Sequence, residues 1–352
     1  MCVCMLPMGV VSRRVRSQAE TQPAPAAPLV RQNKVLVATH GHCFDGVVSA
    51  ALFTRLFREL EGGQPSFRYL ACGYGHGQRG PERALGEADV SAILDYRFSP
   101  SERLTWFFDH HPTAFETPES RRRFERRVDE AEQRLFYDPA YGSCSRLIAD
   151  TATKVFGLDF SDLEDLVGWA NRVDTADFES AEQATNRASP VMQLVSVIEH
   201  YGDNRLISAL VPRLLAEPLT DVASAADIVD LYAPLAARQQ AFRQRVAARA
   251  EARGRVVFVD LTEQPLEVIG KFVTYALFPS STYSVVIGLL KTGIKISVGY
   301  NPWSGKPLDT DISRICARFG GGGHPVVGAI AFAKSELERA RAVAAEIAQE
   351  LA

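Results

Sequence analysis

The chain has 352 residues and seven histidines, and two of those histidines stand side by side behind an acid in Asp109-His110-His111-Pro112. The triplet closes the apolar run Leu104 to Phe108. An apolar run that ends in a Pro turn predicts a buried strand. In an open α/β sheet, ligands bind outside the carboxyl ends of the strands. An acid with two imidazoles at such an edge can hold a metal, orient a neighbouring imidazole and meet an anionic substrate. The plainer alternative is a polar turn after a core strand.

Three further clusters have the same character. Lys34 to Thr39 predicts a first parallel strand, and His40-Gly41-His42-Cys43-Phe44-Asp45-Gly46 follows it. Val48 to Leu60 then has helical spacing, so Asp45 has an alternative role as the N-cap of that helix. Val90 to Leu94 predicts another strand and ends in Asp95. Leu163 to Val173 predicts a helix that runs into Asp174-Thr175-Ala176-Asp177-Phe178. Acids behind a helix C-terminus oppose its dipole. Something positive should compensate them, and a cation is one candidate.

Strand ends of one parallel sheet converge in space. The set that would meet is His40, His42, Asp45, Asp95, Asp109, His110, His111, Asp174 and Asp177. Acids and imidazoles without a cysteine pair suit two divalent ions such as Mn²⁺ better than a closed structural zinc site. Two cations about 3.5–4 Å apart can clamp the attacking and leaving oxygens of a phosphoryl displacement and acidify a bridging water. One carboxylate must lie between them, and Asp95 is the candidate.

The elements that must position these groups follow from the pattern. Strands, Gly-containing loops and helices alternate up to about residue 173, as in a βαβ architecture. Phe67 to Ala71 predicts a strand before the Gly73-Tyr74-Gly75-His76-Gly77 loop, which lacks a P-loop lysine. Glu119 to Glu130 predicts a charged helix, either a phosphate-attracting rim or a solvated face with compensating acids. Ser143 to Phe156 predicts a helix whose N-terminal amides could bind an anion. Asp221 to Ala252 reads as a long connecting helix.

Beyond Arg255 the pattern predicts strands at Val256–Val259, Tyr283–Leu289 and Ile294–Val298. Helices are predicted at Leu266–Ala276, Ile312–Phe319 and Ser335–Leu351. This second region contains Arg318-Phe319-Gly320-Gly321-Gly322-Gly323-His324-Pro325. Successive glycine amides can form an anion nest, with His324 as an added donor. A helix C-cap and turn is the alternative.

Composition narrows the classes. The net charge of −3 excludes a polycation built for duplex DNA. The six cysteines, Cys2, Cys4, Cys43, Cys72, Cys144 and Cys316, include no C-x-x-C, which points to reduced thiols and a cytoplasmic protein. No apolar segment is long enough to span a bilayer, so no membrane role is expected. Met1 to Val11 is apolar but precedes its arginines, the reverse of a secretory signal.

In this order and spacing, Thr39-His40 through Asp45-Gly46, Asp95, Asp109-His110-His111, Asp174 to Phe178 and Gly320 to His324 with Gly328 resemble the DHH phosphoesterase family with its DHHA1 C-terminal domain. The resemblance covers about residues 34 to 352. It implies an α/β fold: a doubly wound parallel sheet plus a smaller α/β domain, joined by a helical linker. The boundaries would be 1–33 for a disordered N-terminal segment, 34–217 for the catalytic domain, 218–253 for the linker helix and 254–352 for the substrate-binding domain.

The resemblance further implies two Mn²⁺ ions, with Mg²⁺ or Co²⁺ as substitutes, and hydrolysis of phosphoester or phosphoanhydride bonds. His40 and Asp45 look like ligands of one metal, Asp95 like the bridge, and His110 and Asp174 like ligands of the other. His111 resembles the residue that faces the substrate phosphate, with Asp109 orienting the histidines. Gly321, Gly322, Gly323 and His324 look like substrate contacts.

Two departures stand out. The family's first motif offers a His and two Asp, whereas this chain has one Asp, so either His42 replaces the missing carboxylate or one metal is lost or weakly held. An Arg-Ser pair is replaced by Tyr300-Asn301-Pro302-Trp303-Ser304, where Trp303 is either a base-stacking platform or a core tryptophan.

The expected function is manganese-dependent hydrolysis of small nucleotides or short single-stranded oligonucleotides, with a homodimer left open. The alternatives are a non-catalytic nucleotide-binding protein and a pyrophosphatase or polyphosphatase.

Overall fold

In the computed structural model the first part of the chain alternates strands with helices. The order is β1 (Lys34–His40), α1 (Phe44–Glu61), β2 (Ser66–Cys72), β3 (Val90–Leu94), β4 (Trp106–Asp109), α2 (Pro118–Glu130), β5 (Leu135–Tyr137) and α3 (Cys144–Lys154). The structure describes residues 33–73, 80–130, 134–267, 270 and 272–352. The expected segment 1–33, but for Asn33, and the Tyr74–Gly77 part of the glycine-containing loop lie outside the described residues.

These five strands form one parallel sheet in the order β2-β1-β3-β4-β5. Side chains alternate across it, as the two-residue period of a strand requires. Val35, Val37, Ala92, Leu94, Trp106 and Phe108 enter one core, and Leu36, Ala38, Ile93 and Phe107 enter the core on the opposite face. Both faces are covered, which is why the strands read as near-continuous apolar runs. In this strand order the switch point falls between β1 and β3. His40 ends β1, and Asp95 directly follows β3.

Helices complete the larger core: α4 (Glu164–Thr175), α5 (Ala181–Thr185), α6 (Pro190–Tyr201), α7 (Asn204–Ala216), α8 (Leu219–Ser224) and α9 (Ala226–Arg249). The N-terminal half of α9 buries Ile228 and Leu235 in that core, while Phe242 and Val246 enter the core of the second sheet. The continuous helix expected from Asp221 to Ala252 is instead broken at Ala225, whose backbone is extended. It also stops at Arg249, because Ala250–Arg253 forms β6 against the next strand.

The second sheet contains β6, β7 (Val256–Leu261), β8 (Tyr283–Leu289), β9 (Ile294–Tyr300), β10 (Gly322–His324) and β11 (Val327–Phe332). Its helices are α10 (Val273–Leu277), α11 (Ile312–Arg318) and α12 (Leu337–Leu351). The strand order is β10-β11-β9-β8-β7-β6, with β7 and β8 parallel and the other pairs antiparallel. Ile315 and Ile347 pack with Val256 on one face, and Phe242, Val246 and Val273 pack with Val257 and Val259 on the other. The helix expected from Leu266 to Ala276 begins only at Val273; Val268, Ile269 and Lys271 lie outside the described residues.

Gln32–Ala352 forms one compact unit. α10 packs against α5. The Trp303 indole Nε1 donates a 2.6 Å hydrogen bond to the carbonyl oxygen of Phe178 and meets the Phe272 ring edge to face. Trp303 therefore ties the second sheet's loop to the Asp174–Phe178 segment, and its polar edge is already used. Among the described residues no helix is long and apolar enough to cross a membrane.

Candidate metal centre

The carboxylate of Asp95 is the hub. It is 1% exposed and sits in the turn directly after β3 with φ of 52°. That left-handed conformation is uncommon outside glycine, with Asp and Asn the tolerated exceptions. His40 Nδ1 lies 3.6 Å from Oδ2, and His110 Nε2 and His111 Nδ1 each lie 3.6 Å from Oδ1. His42 and Ala176, also with positive φ, flank the same edge in sequence. Strained backbone persists where the surrounding structure over-determines it.

β1 delivers His40, and a tight turn brings α1 back over it. Thr39 Oγ1 donates to the Gly46 carbonyl oxygen at 2.6 Å. A Cβ at Gly46 would stand 2.2 Å from the His40 carbonyl oxygen, so only glycine permits this approach.

Asp45 is not the N-cap of α1; Cys43 holds that position. The buried Asp45 carboxylate instead accepts from the amides of Cys144 at 2.7 Å and Ser145 at 3.0 Å, at the start of α3. The expectation that these amides bind a substrate anion is thus corrected: Asp45 already occupies them, in the favourable end of the helix dipole. Burial and the nearby Asp95 and Asp174 carboxylates nevertheless push the Asp45 carboxyl well above the usual range.

β4 ends in Asp109, which is fully buried. Its Oδ1 accepts from the His110 amide, the His111 amide and, at 2.8 Å, His111 Nδ1. This fixes both imidazoles relative to the strand. His110 Nδ1 lies 3.1 Å from the Tyr141 carbonyl oxygen. A carbonyl only accepts, so Nδ1 carries a proton, and Nε2 faces Asp95 and, at 3.4 Å, Asp174 Oδ2. Burial favours neutral His110, but Asp95, Asp45 and Asp174 outweigh it and raise its pKa to about 10. For His111, burial is likewise outweighed, chiefly by Asp109. Burial also acts on Asp95, but His110 and His40 hold its carboxylate well below the ordinary range. Asp174, in the last turn of α4, finds its compensating positive charge in His110.

Three groups of side chains each bring ligand atoms within 4.8 Å of one another: His40/Cys43/Asp95, Asp95/His110/His111 and Asp45/His110/Asp174. Both Asp95 oxygens, Asp109 Oδ2 and His110 Nε2 are buried without a hydrogen-bond partner. Buried polar atoms rarely lack one. Carboxylate oxygens and imidazole nitrogens gathered this closely fit divalent cations, which would take the place of the imidazole proton.

Not every expected residue joins. His42 is exposed and belongs to none of these groups; it lines a separate cleft of about 410 Å³ with Cys72, Gly73, Asp203, Asn204 and Arg205. Its backbone turns away because the Gly41 amide bonds to Cys72 and the His42 amide to Gly202. Asp177 is exposed and also outside the groups. Cys43, absent from the expected ligands, is inside one. Its position close to His40 is the available signal, and the lack of a C-x-x-C partner hides it.

The glycine run is more structural than expected. The amides of Gly320 and Gly321 bond to carbonyls at the end of α11, so the turn alternative holds for them and no nest forms there. Gly322, Gly323 and His324 pair with Ala329, Gly328 and Val327 in an edge hairpin. A Cβ at Gly321 or Gly323 would collide with backbone oxygens at 2.3 and 2.2 Å, whereas one at Gly322 would meet nothing within 4 Å. On α2, Arg121, Arg122 and Arg123 pair with Glu125, Glu119 and Glu102.

This combination of a five-stranded parallel sheet and a second mixed sheet is the fold of DHH-domain structures. The chain is similar to a pGpG-specific phosphodiesterase, PggH from Vibrio cholerae, with TM-score 0.61 and 16% identity over 90% of this chain and 99% of that one. A DHH domain described as a member of a ribosomal protein family gives 0.57 and 13%, covering 91% and 87%. RecJ from Thermus thermophilus in complex with Mn²⁺ gives 0.54 and 12%, covering 92% of this chain but 53% of RecJ. No protein-family model and no curated protein matches the chain.

Proposed function

We propose that the chain is a divalent-metal-dependent phosphohydrolase that cleaves phosphoester bonds of small nucleotides or short oligonucleotides. The observation that carries this reading is Asp95: a buried carboxylate in a strained turn, faced by three imidazoles, with neither oxygen hydrogen-bonded. A bridging carboxylate needs such lone pairs. His40 with Asp95 would hold one cation, and Asp45, His110 and Asp174 with Asp95 the other, so that Asp45 joins the second set rather than the set with His40. Mn²⁺ suits the oxygen and imidazole set, with Mg²⁺ or Co²⁺ as substitutes. Bound cations would supply Lewis acidity toward a phosphoryl oxygen and acidify water.

The protein's own groups do the rest. Asp109 holds His111 by Nδ1 and leaves Nε2 to donate to a phosphoryl oxygen. Charge on His111, favoured by Asp109, strengthens that bond. Asp45, braced on α3, and His110, braced on Tyr141, need no reorganisation to bind. Of the glycine run, exposed Gly322 at the sheet edge would be available for a substrate contact, with His324 nearby in the strand. The phosphodiesterase activity named for PggH and the Mn²⁺ bound by RecJ support this substrate class and this metal.

The test is a panel with Mn²⁺: bis(p-nitrophenyl) phosphate, linear and cyclic dinucleotides, 3′-phosphoadenosine 5′-phosphate and pyrophosphate. Turnover of dinucleotides that stops on chelation is expected. Release of phosphate from pyrophosphate alone would move the reading to a pyrophosphatase. No turnover with bound metal would leave a nucleotide-binding protein.

A further inference from the structure

His42 lies outside the ligand groups, so the position beside His40 would be short of a ligand. The residue next to it fills the gap. Cys43 is the N-cap of α1, but its side chain makes no capping hydrogen bond, so α1 does not explain it. Its sulfur lies within 4.8 Å of ligand atoms of both His40 and Asp95. Asp95 is an independent sign of a ligand at that point, since it is 1% exposed and both its oxygens lack a hydrogen-bond partner.

We propose that Cys43 supplies a thiolate to the cation position it shares with His40 and Asp95, making the two positions chemically unequal. This rests on the reading that the cluster holds metal. One position would then present nitrogen, sulfur and oxygen; the other, Asp45, His110 and Asp174 with Asp95, nitrogen and oxygen only. A thiolate favours softer ions such as Zn²⁺ or Co²⁺, while an oxygen-rich set suits Mn²⁺ or Mg²⁺. The centre should therefore accept two different metals at once. On binding, the sulfur–metal bond forms as the thiol proton leaves to solvent.

The full chain, purified under reducing conditions, is loaded with Co²⁺ and read for a thiolate-to-cobalt charge-transfer band in the near ultraviolet. The wild-type should show the band, and Cys43→Ser should lose it while Cys72→Ser keeps it. Cys43→Ser should weaken Zn²⁺ binding by calorimetry at least about tenfold and change Mn²⁺ binding less, since only one position loses its sulfur. If Cys43→Ser fails to fold, zinc K-edge absorption of the wild-type decides, with one sulfur at about 2.3 Å expected. Bound Co²⁺ without the band, a band that survives in Cys43→Ser, or zinc without a sulfur neighbour would overturn the proposal and leave the metal reading standing. Failure of the wild-type to bind any divalent cation would overturn both.

Discussion

Replacing Asp95 by Asn tests the centre of the structure without disturbing its frame. Asn is nearly isosteric and tolerates the left-handed backbone of this position, φ 52°, whereas Ala would add strain of about 1–2 kcal/mol. What Asn removes is charge. His110 is raised from 6.5 to about 10. That rise of about 3.5 pH units corresponds to a ceiling of about 5 kcal/mol of proton-binding free energy. Asp45 and Asp174 share in it; one opposite charge this close to an imidazole is worth on the order of 2 kcal/mol by itself. A group whose folded pKa lies above its unfolded one stabilises the fold below the unfolded value, and the effect is lost as pH rises through the folded value. The window is therefore from 6.5 to about 10. Asp45, also raised, acts in the same sense, since its ionisation with rising pH costs folded-state stability. In chelator-treated protein the wild-type should exceed Asp95→Asn in unfolding free energy by about 2 kcal/mol near pH 6, and the excess should shrink towards pH 10. Urea unfolding at several pH values measures this; groups that do not sense Asp95 cancel, while Asp45 and His111, both raised by Asp95, change the excess in the same direction. An excess independent of pH would refute the argument that the Asp95 carboxylate holds the His110 proton.

Asp95→Asn should also abolish Mn²⁺-dependent phosphodiester hydrolysis, measured with bis(p-nitrophenyl) phosphate; wild-type rates would remove Asp95 from the bridging role. His42→Ala should leave Mn²⁺ affinity within about threefold of wild-type by calorimetry, because His42 lies outside the ligand groups. Gly322→Ala should shift stability by less than about 0.5 kcal/mol, since the added methyl meets nothing; any rise in KM for a dinucleotide then reports a substrate contact. Gly46→Ala should destabilise by several kcal/mol or prevent folding, because its Cβ would stand 2.2 Å from the His40 carbonyl oxygen, and circular dichroism melting is the check.

The parallel sheet is legible in the sequence because its strands are buried on both faces and punctuated by acids and glycines. Lys34 to Thr39 and Trp106 to Phe108 carry that pattern directly. Elements set by tertiary pairing are not legible in this way. Ala250–Arg253 has helical composition but lies beside β7 and becomes a strand. Ala225 interrupts a run with few local breakers. Local periodicity cannot report a partner strand that is distant in the sequence.

The candidate site divides along the same line. Asp95, Asp109, His110 and Asp174 are visible because strand or helix ends fix where they emerge. In the first motif, backbone hydrogen bonds decide which side chain turns inward. The Gly41 amide reaches Cys72 and the His42 amide reaches Gly202, so His42 points to the neighbouring cleft while Cys43 faces His40. Gly202 comes from the end of α6, far along the chain, and a Cβ there would stand 2.8 Å from the His42 nitrogen. Which side chain of this loop turns towards His40 is therefore set in part by a contact with a remote glycine. Residue type alone, read along the His40–Gly46 run, points to His42 but has no access to the contact that turns it away.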